Sequence, residues 1–237
     1  MRSTSTVNVP GQKINFEARS RDLTYKSTFL DAQFALTNGA RSLHFLFARL
    51  KTFGLNYSDL RLEGNLVNPS SVVFSASLPR WNVVMRLRLD ALEVTALSSP
   101  PGAPVTGVAD SALTAVSEIV SIGYTGVRTH ETSWGGHGLL SMPVGEYLAQ
   151  FVRSIPAGSA PAGIAFNLGG DVTNGRLSSH SVIAPSVLVP NGLYVQVNAA
   201  YEGRLTVTDI RDRFNEMIMS SLQGLNLSLR EAEMPSA

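Results

Sequence analysis

The segment Val83 to Asp90 constrains the fold more than any other part of the chain. Val83, Met85, Leu87 and Leu89 alternate with Val84, Arg86, Arg88 and Asp90. An extended strand points successive side chains to opposite faces, so it alone sorts this pattern into one apolar and one polar side. A strand needs partners. An alternation this clean belongs to an antiparallel sheet with one buried face and one face in water or against a partner.

The same period recurs. Ile14, Phe16 and Ala18 alternate with Asn15 and Glu17, and further strands are expected at Leu60-Leu62-Leu66 and Phe74-Ala76-Leu78. Asn68-Pro69-Ser70 and Pro79-Arg80-Trp81-Asn82 supply the turns between them. In the second half, strands are expected at Ile122-Tyr124, at Ile164-Phe166-Leu168, across 177–189 and through Leu193-Val195-Val197-Ala199-Tyr201. Asn174-Gly175 and Asn191-Gly192 are hairpin signals, because a type I′ turn needs positive φ at both central positions.

Helical spacing marks four other segments. The longest, about 28–53, places Leu36, Ala40, Leu43, Phe47 and Leu50 on one face, with Gly54 just past its end. A shorter helix is expected from Asp110 as N-cap through Leu113, Val116 and Val120. Another follows Ser141, with Pro143 in its first turn and Val144, Leu148, Phe151 and Val152 as its apolar face. The last carries Ile210, Phe214, Met217, Ile218, Ser221 and Leu222 on one stripe. Thr208 and Asp209 supply its capping chemistry and Gly224 its end. Leu225, Leu227 and Leu229 alternate beyond it, as a short extra strand or a docking tail would.

These segments divide the chain into a flexible arm (1–11), a first βαβββ half (12–97) and a Pro/Gly/Ser linker (98–107). A connecting helix (108–120), a second βαβββα half (121–230) and a disordered tail (231–237) follow. Ile14-Phe16 matches Ile122-Tyr124, and Leu78-Pro79 matches Val189-Pro190 at nearly the same offset. The fold class expected is therefore α+β. It would be an internal duplication of a strand-helix-three-strand-helix unit, forming a curved antiparallel sheet with helices on one face. This element order resembles the TATA-binding-protein-like architecture and is similar to the repeated units of sliding clamps. The resemblance lies in element order alone, so no function is carried over from it.

Composition acts mainly by exclusion. With no cysteine, a disulfide framework, a thiolate zinc site, an iron–sulfur cluster and a catalytic thiol are ruled out. No apolar run approaches the ~18 residues of a membrane span. Met1 to Gly11 lacks the apolar stretch of a signal peptide, so an intracellular location is expected. Charged residues make up 16% of the chain, against about 25% in an ordinary soluble domain. In their place stand 27 serines and 15 threonines, and the net charge is +1. Such a surface favours self-association and exerts no strong pull on nucleic acid or acidic membranes.

The densest polar cluster is Arg128-Thr129-His130-Glu131-Thr132-Ser133-Trp134-Gly135-Gly136-His137. A metal-dependent hydrolase would use His130 and His137 as ligands and Glu131 as general base. The spacing is not HExxH, and the plainer reading is a strand end, a glycine turn and surface histidines. Trp134 would then be a candidate contact residue. Gly169-Gly170-Asp171 fits a hairpin or bulge better than a calcium or phosphate loop, since there is no P-loop or EF-hand spacing. No GxSxG elbow is present. His44 lies off the main helical stripe. Arg86 and Arg88 share one strand face and, with Arg61 and Arg80, could line a phosphate-binding strip. Asp90 and Glu93 follow directly, and aromatic interleaving is missing.

Three functions remain open. The first is a non-catalytic assembly or binding subunit of an intracellular complex that self-associates or takes a protein partner. The second is the hydrolase built on His130, Glu131 and His137. The third is nucleic-acid binding through Arg86 and Arg88. The absence of a catalytic motif points away from an enzyme, and no cofactor is expected.

Overall fold

The alternation that starts at Ile14 continues to Phe29 as one long strand, β1 (Ile14–Phe29). A computed structural model describes residues 13–64, 68–100, 102–121, 125–152 and 161–231. The expected arm 1–11, Leu66 of the expected Leu60-Leu62-Leu66 strand, the strand at Ile122-Tyr124 and the tail beyond 231 lie outside the described residues.

Because Phe29 still belongs to β1, the helix expected over 28–53 is shorter. A 3-10 turn spans Phe34–Thr37, and α1 is Gly39–Leu50. Its buried face is Gly39, Ser42, Leu46 and Leu50, while Ala40 is exposed. A Cβ on Gly39 would lie 2.6 Å from Leu62 Cδ2, so the end of the Leu62 side chain would have to shift to admit one. Gly54 follows with φ +84°, as its place past the helix end requires.

An antiparallel meander comes next, formed by β2 (Leu60–Glu63), β3 (Val73–Leu78), β4 (Val83–Arg88) and β5 (Ala91–Ala96). β4 buries Val83, Met85 and Leu87 and exposes Val84, Arg86 and Arg88. β5 was not anticipated. The chain reverses at Leu89-Asp90 without glycine or proline, so no turn signal marks it.

Helix α2 (Val105–Val120) starts before Asp110, directly after Pro104. It buries Val105, Val108, Ala109, Ala112, Ala115, Val116 and Ile119, whereas Leu113 and Val120 are only partly covered. The alanines let it lie close to α1 and to β1, β4 and β5. Arg49 of α1 pairs with Glu118 of α2 through both carboxylate oxygens. That pair is partly exposed, so it adds little stability beside the packing.

The second half begins with β6 (Val127–Leu140), which runs straight through the expected glycine turn at Trp134–Gly138. A short helix, α3 (Val144–Ala149), starts after Pro143. Its buried Tyr147 donates from Oη to the Leu225 carbonyl at 2.8 Å. β7 (Ile164–Asn167), β8 (Arg176–Pro185) and β9 (Leu193–Glu202) form a second antiparallel run. Asn191 turns the β8–β9 hairpin with φ 56°.

Helix α4 (Val207–Gly224) buries the full stripe Ile210, Phe214, Met217, Ile218, Ser221 and Leu222. Its N-cap is Thr206 rather than Thr208. Thr206 Oγ1 accepts from the Asp209 N–H, and the Asp209 carboxylate accepts from the Thr206 N–H. This closes a reciprocal capping box. The alternating leucines after α4 form β10 (Leu227–Glu231).

The ten strands of the described residues join one sheet in the order β2-β3-β4-β5-β1-β6-β9-β8-β7, with β10 beside β1. The β1–β10 pair is parallel, a departure from the wholly antiparallel sheet expected, and every other pair is antiparallel. One edge of β1 is shared: Ile14 to Ala18 pair with β10, and Leu23 to Thr28 pair with β5. The protein is thus a mixed helix-and-strand structure built on a large, mainly antiparallel sheet. No helix among the described residues is long and apolar enough to cross a membrane.

Candidate functional site: two faces of the sheet

Strand β6 decides the fate of the histidine cluster. Side chains alternate along it, so residues an odd number of positions apart point to opposite faces. His130, Thr132 and Trp134 are on the buried side; Glu131 and Ser133 are on the other, where His137 also stands. At about 3.3 Å per residue, His130 and His137 are also roughly 20 Å apart along the strand. The structure therefore does not bring His130, Glu131 and His137 together. No group of three or more His, Asp or Glu that could hold a metal ion occurs among the described residues.

The glycines of this segment make room for neighbours instead of turning the chain. A Cβ on Gly136 would meet the Trp134 ring at 2.7 Å and Phe16 at 3.3 Å. On Gly138 it would lie 2.3 Å from the Glu17 carbonyl oxygen, beside a shift in the β1–β6 register between Ala18 and Ser20. Trp134 itself is 4% exposed and belongs to the core, so it offers no contact surface.

His130 is buried and structural. Tyr25 Oη lies 2.6 Å from its Nδ1, and its Nε2 lies 3.4 Å from the Gly203 carbonyl. A neutral ring protonated on Nε2 satisfies both contacts, accepting from the tyrosine and donating to the carbonyl. Burial pushes its pKa below the usual histidine value, against the opposing pull of the Gly203 and Leu205 carbonyls. His137 stacks on Tyr194 with ring centroids 4.4 Å apart, and Ser186 Oγ lies 2.9 Å from its Nδ1. Burial lowers its pKa too, opposed by Asp22.

A base whose folded pKa is depressed binds its proton more readily in the unfolded chain. These histidines therefore give their full stability above about pH 6.5, the unfolded value. That contribution is lost as pH falls from there through the lower folded values. Urea midpoints should drop between pH 7.5 and 5. The drop should be smaller in His130→Gln, which retains an acceptor for Tyr25 but cannot titrate. An equal drop in both proteins would rule out His130 as a source.

Arg86 lies on the exposed face of β4, in a row set by register. Arg61, Ser75, Arg86, Glu93, Lys26 and Glu131 stand side by side across β2, β3, β4, β5, β1 and β6. The charge alternates along most of this row, and Lys26 Nζ lies 3.4 Å from Glu131. Arg88 is in the neighbouring row, opposite Val73 and, beyond it, Glu63. Arg80 sits over the Trp81 ring at 5.0 Å, in the turn before β4. The four arginines therefore do not form one uniformly basic strip.

The next row on that face holds no carboxylate, lysine or arginine: Ser77, Val84, Thr95, Thr24, Ser133, Asn198, His180 and Asn167. Asn198 Nδ2 lies 3.0 Å from His180 Nε2, and Gln196 donates to Ser133. A shallow recess of about 230 Å³ opens over β4 and β5, lined by Asn82, Val84, Arg86, Glu93, Thr95 and Leu97. Lys26, Thr24, Thr95 and Asn198 were missed from sequence. The register that aligns them is long-range, although the alternation within each strand carries the signal.

Asp171 and Arg176 form a backbone bridge, and Asn174 Nδ2 donates to the Asp171 carboxylate at 2.7 Å. The Gly169-Gly170-Asp171 segment is thus part of a hairpin turn. His44 is exposed on α1, edge-on to Phe45. In comparison with known proteins, no family model matches the chain and no curated protein matches it.

Proposed function

We propose that the chain is a non-catalytic assembly subunit of an intracellular complex, and that copies of it associate through the outer face of the sheet. The observation that supports this reading is the row Arg86-Glu93-Lys26-Glu131, in which charge alternates from strand to strand. A second copy related by a two-fold axis can set cations opposite anions along such a row. The adjoining row of hydroxyls and amides can hydrogen-bond across the same contact. The low charge fits a surface of this kind.

We further read the sheet as two duplicated arms that meet at β1 and β6. From β1 the order leads outward through β5, β4, β3 and β2; from β6 it leads through β9, β8 and β7. In this reading the two long strands are equivalent first strands, and the helices cover one face. The first arm carries one strand more than the second.

Light scattering after size exclusion, across a dilution series, tests the assembly. A discrete oligomer is expected. The double variant Glu93→Lys, Glu131→Lys should weaken it at least ~10-fold by placing like charges opposite one another. A wild-type monomer at every concentration would overturn the reading, as would an oligomer indifferent to both substitutions.

A further inference from the structure

Among the described residues, four of the five buried side-chain polar atoms without a hydrogen-bond partner lie together, far from the outer face of β4 and β5. They are Arg176 Nε, Ser181 Oγ, Tyr201 Oη and Ser221 Oγ. All four residues line two adjoining recesses between α4 and the strands β7, β8 and β9. The first, about 490 Å³, is lined by Asn174, Arg176, Tyr201, Arg213, Glu216, Met217 and Ser220. The second, about 290 Å³, brings in Ser181, Ser221 and an apolar wall of Phe151, Phe166, Leu168 and Leu225. They share Arg176, Met217 and Ser220.

Buried polar groups are nearly always satisfied, so a cluster of orphans around a hollow marks a place where something polar binds. Tyr201 is 1% exposed, Ser181 2% and Ser221 7%, so the surface cannot serve them. A guanidinium can only donate, so Arg176 Nε needs an acceptor. Arg213 reaches the same recess from α4 and donates to the Asn174 carbonyl. Burial pushes the Tyr201 hydroxyl up to about 12, despite the opposing pull of Arg176 and Arg213. It therefore keeps its proton and is a further donor. Two guanidinium groups and one carboxylate, Glu216, leave the polar recess with one net positive charge. The second recess is apolar on its far wall.

We infer that these joined recesses bind a small carboxylic acid with an apolar chain or ring, its carboxylate held by Arg176, Tyr201 and Arg213 and its apolar part lying among Phe151, Phe166 and Leu168. One anionic charge matches the polar recess, and the serine hydroxyls flank the path between head and tail. This site is independent of the assembly proposed above.

Calorimetric titration with decanoate, decanol and inorganic phosphate tests it. Decanoate should bind saturably at one equivalent, and decanol at least ~10-fold more weakly. Arg176→Gln should weaken decanoate binding by at least ~10-fold. Ser220→Phe is on an exposed position of α4 at the junction of the recesses, so it should block binding without emptying the core. Near-ultraviolet circular dichroism checks that both variants fold. Absence of saturable decanoate binding would overturn the inference. So would equal binding of decanol, binding of phosphate alone, or decanoate binding unchanged in folded Arg176→Gln and Ser220→Phe.

Discussion

Gly138→Val should destabilise the protein by about 3 kcal/mol or more, near the upper end of what overpacking costs. Even a Cβ at this position would lie 2.3 Å from the Glu17 carbonyl oxygen and 2.8 Å from the Phe16 ring. The Glu17 atom is backbone of the adjacent strand, so relief requires β1 and β6 to part where β1 also holds β10. Gly145→Ala is the matched control. It lies in α3 with nothing within 4 Å of an added Cβ, and alanine favours a helix over glycine by up to about 1 kcal/mol. Urea denaturation of both variants would settle the comparison. A cost below about 1 kcal/mol at Gly138 would mean that the Trp134–Gly138 stretch is a surface turn after all.

The second large effect is at Phe16, which is fully buried on β1. Phe16→Ala should cost about 3–5 kcal/mol, combining lost transfer energy with the cavity left behind. In a chain of this size the melting temperature should fall by about 6–20 °C. The ring fills the space that Gly136 and Gly138 leave open, so little nearby can collapse into the gap. Differential scanning calorimetry measures it. A shift of only a few degrees would mean that the two central strands are loosely packed.

Much of the fold could be read from periodicity within single elements. The α4 stripe from Ile210 to Leu222 and the alternation of β4 and β9 needed no tertiary information. Failures occurred where the deciding contact is distant in sequence. The glycines at 135, 136 and 138 read as a turn because the Tyr194 and Phe16 rings and the Glu17 carbonyl that crowd them lie far away in sequence. Gly39 likewise answers to Leu62. The buried face of α1 includes Ser42, whose hydroxyl donates to the Leu36 carbonyl, so apolar spacing alone points to Ala40 instead. The histidine pair shows the opposite case. Once 127–140 is known to be one strand, the odd spacing of His130 and His137 already separates them. The recess beneath β8 and β9 could not be read at all, since Arg176, Tyr201 and Arg213 come from three different elements.

The pairing of β1 has a consequence for how the chain reaches this structure. Ile14 pairs with Leu227, Leu23 with both Ala96 and Trp134, and Phe16 with Leu140. Each partner closes a long loop, and long-range pairings of this kind slow folding because chain entropy is lost before contacts compensate for it. During synthesis the residues that become β1 emerge well before residues 227–231, which form its last partner. Until then one edge of Ile14 to Ala18 lacks its strand. The nascent chain thus carries an unpaired strand edge while every residue between these two strands is being made, a hazard of the kind that chaperones exist to cover.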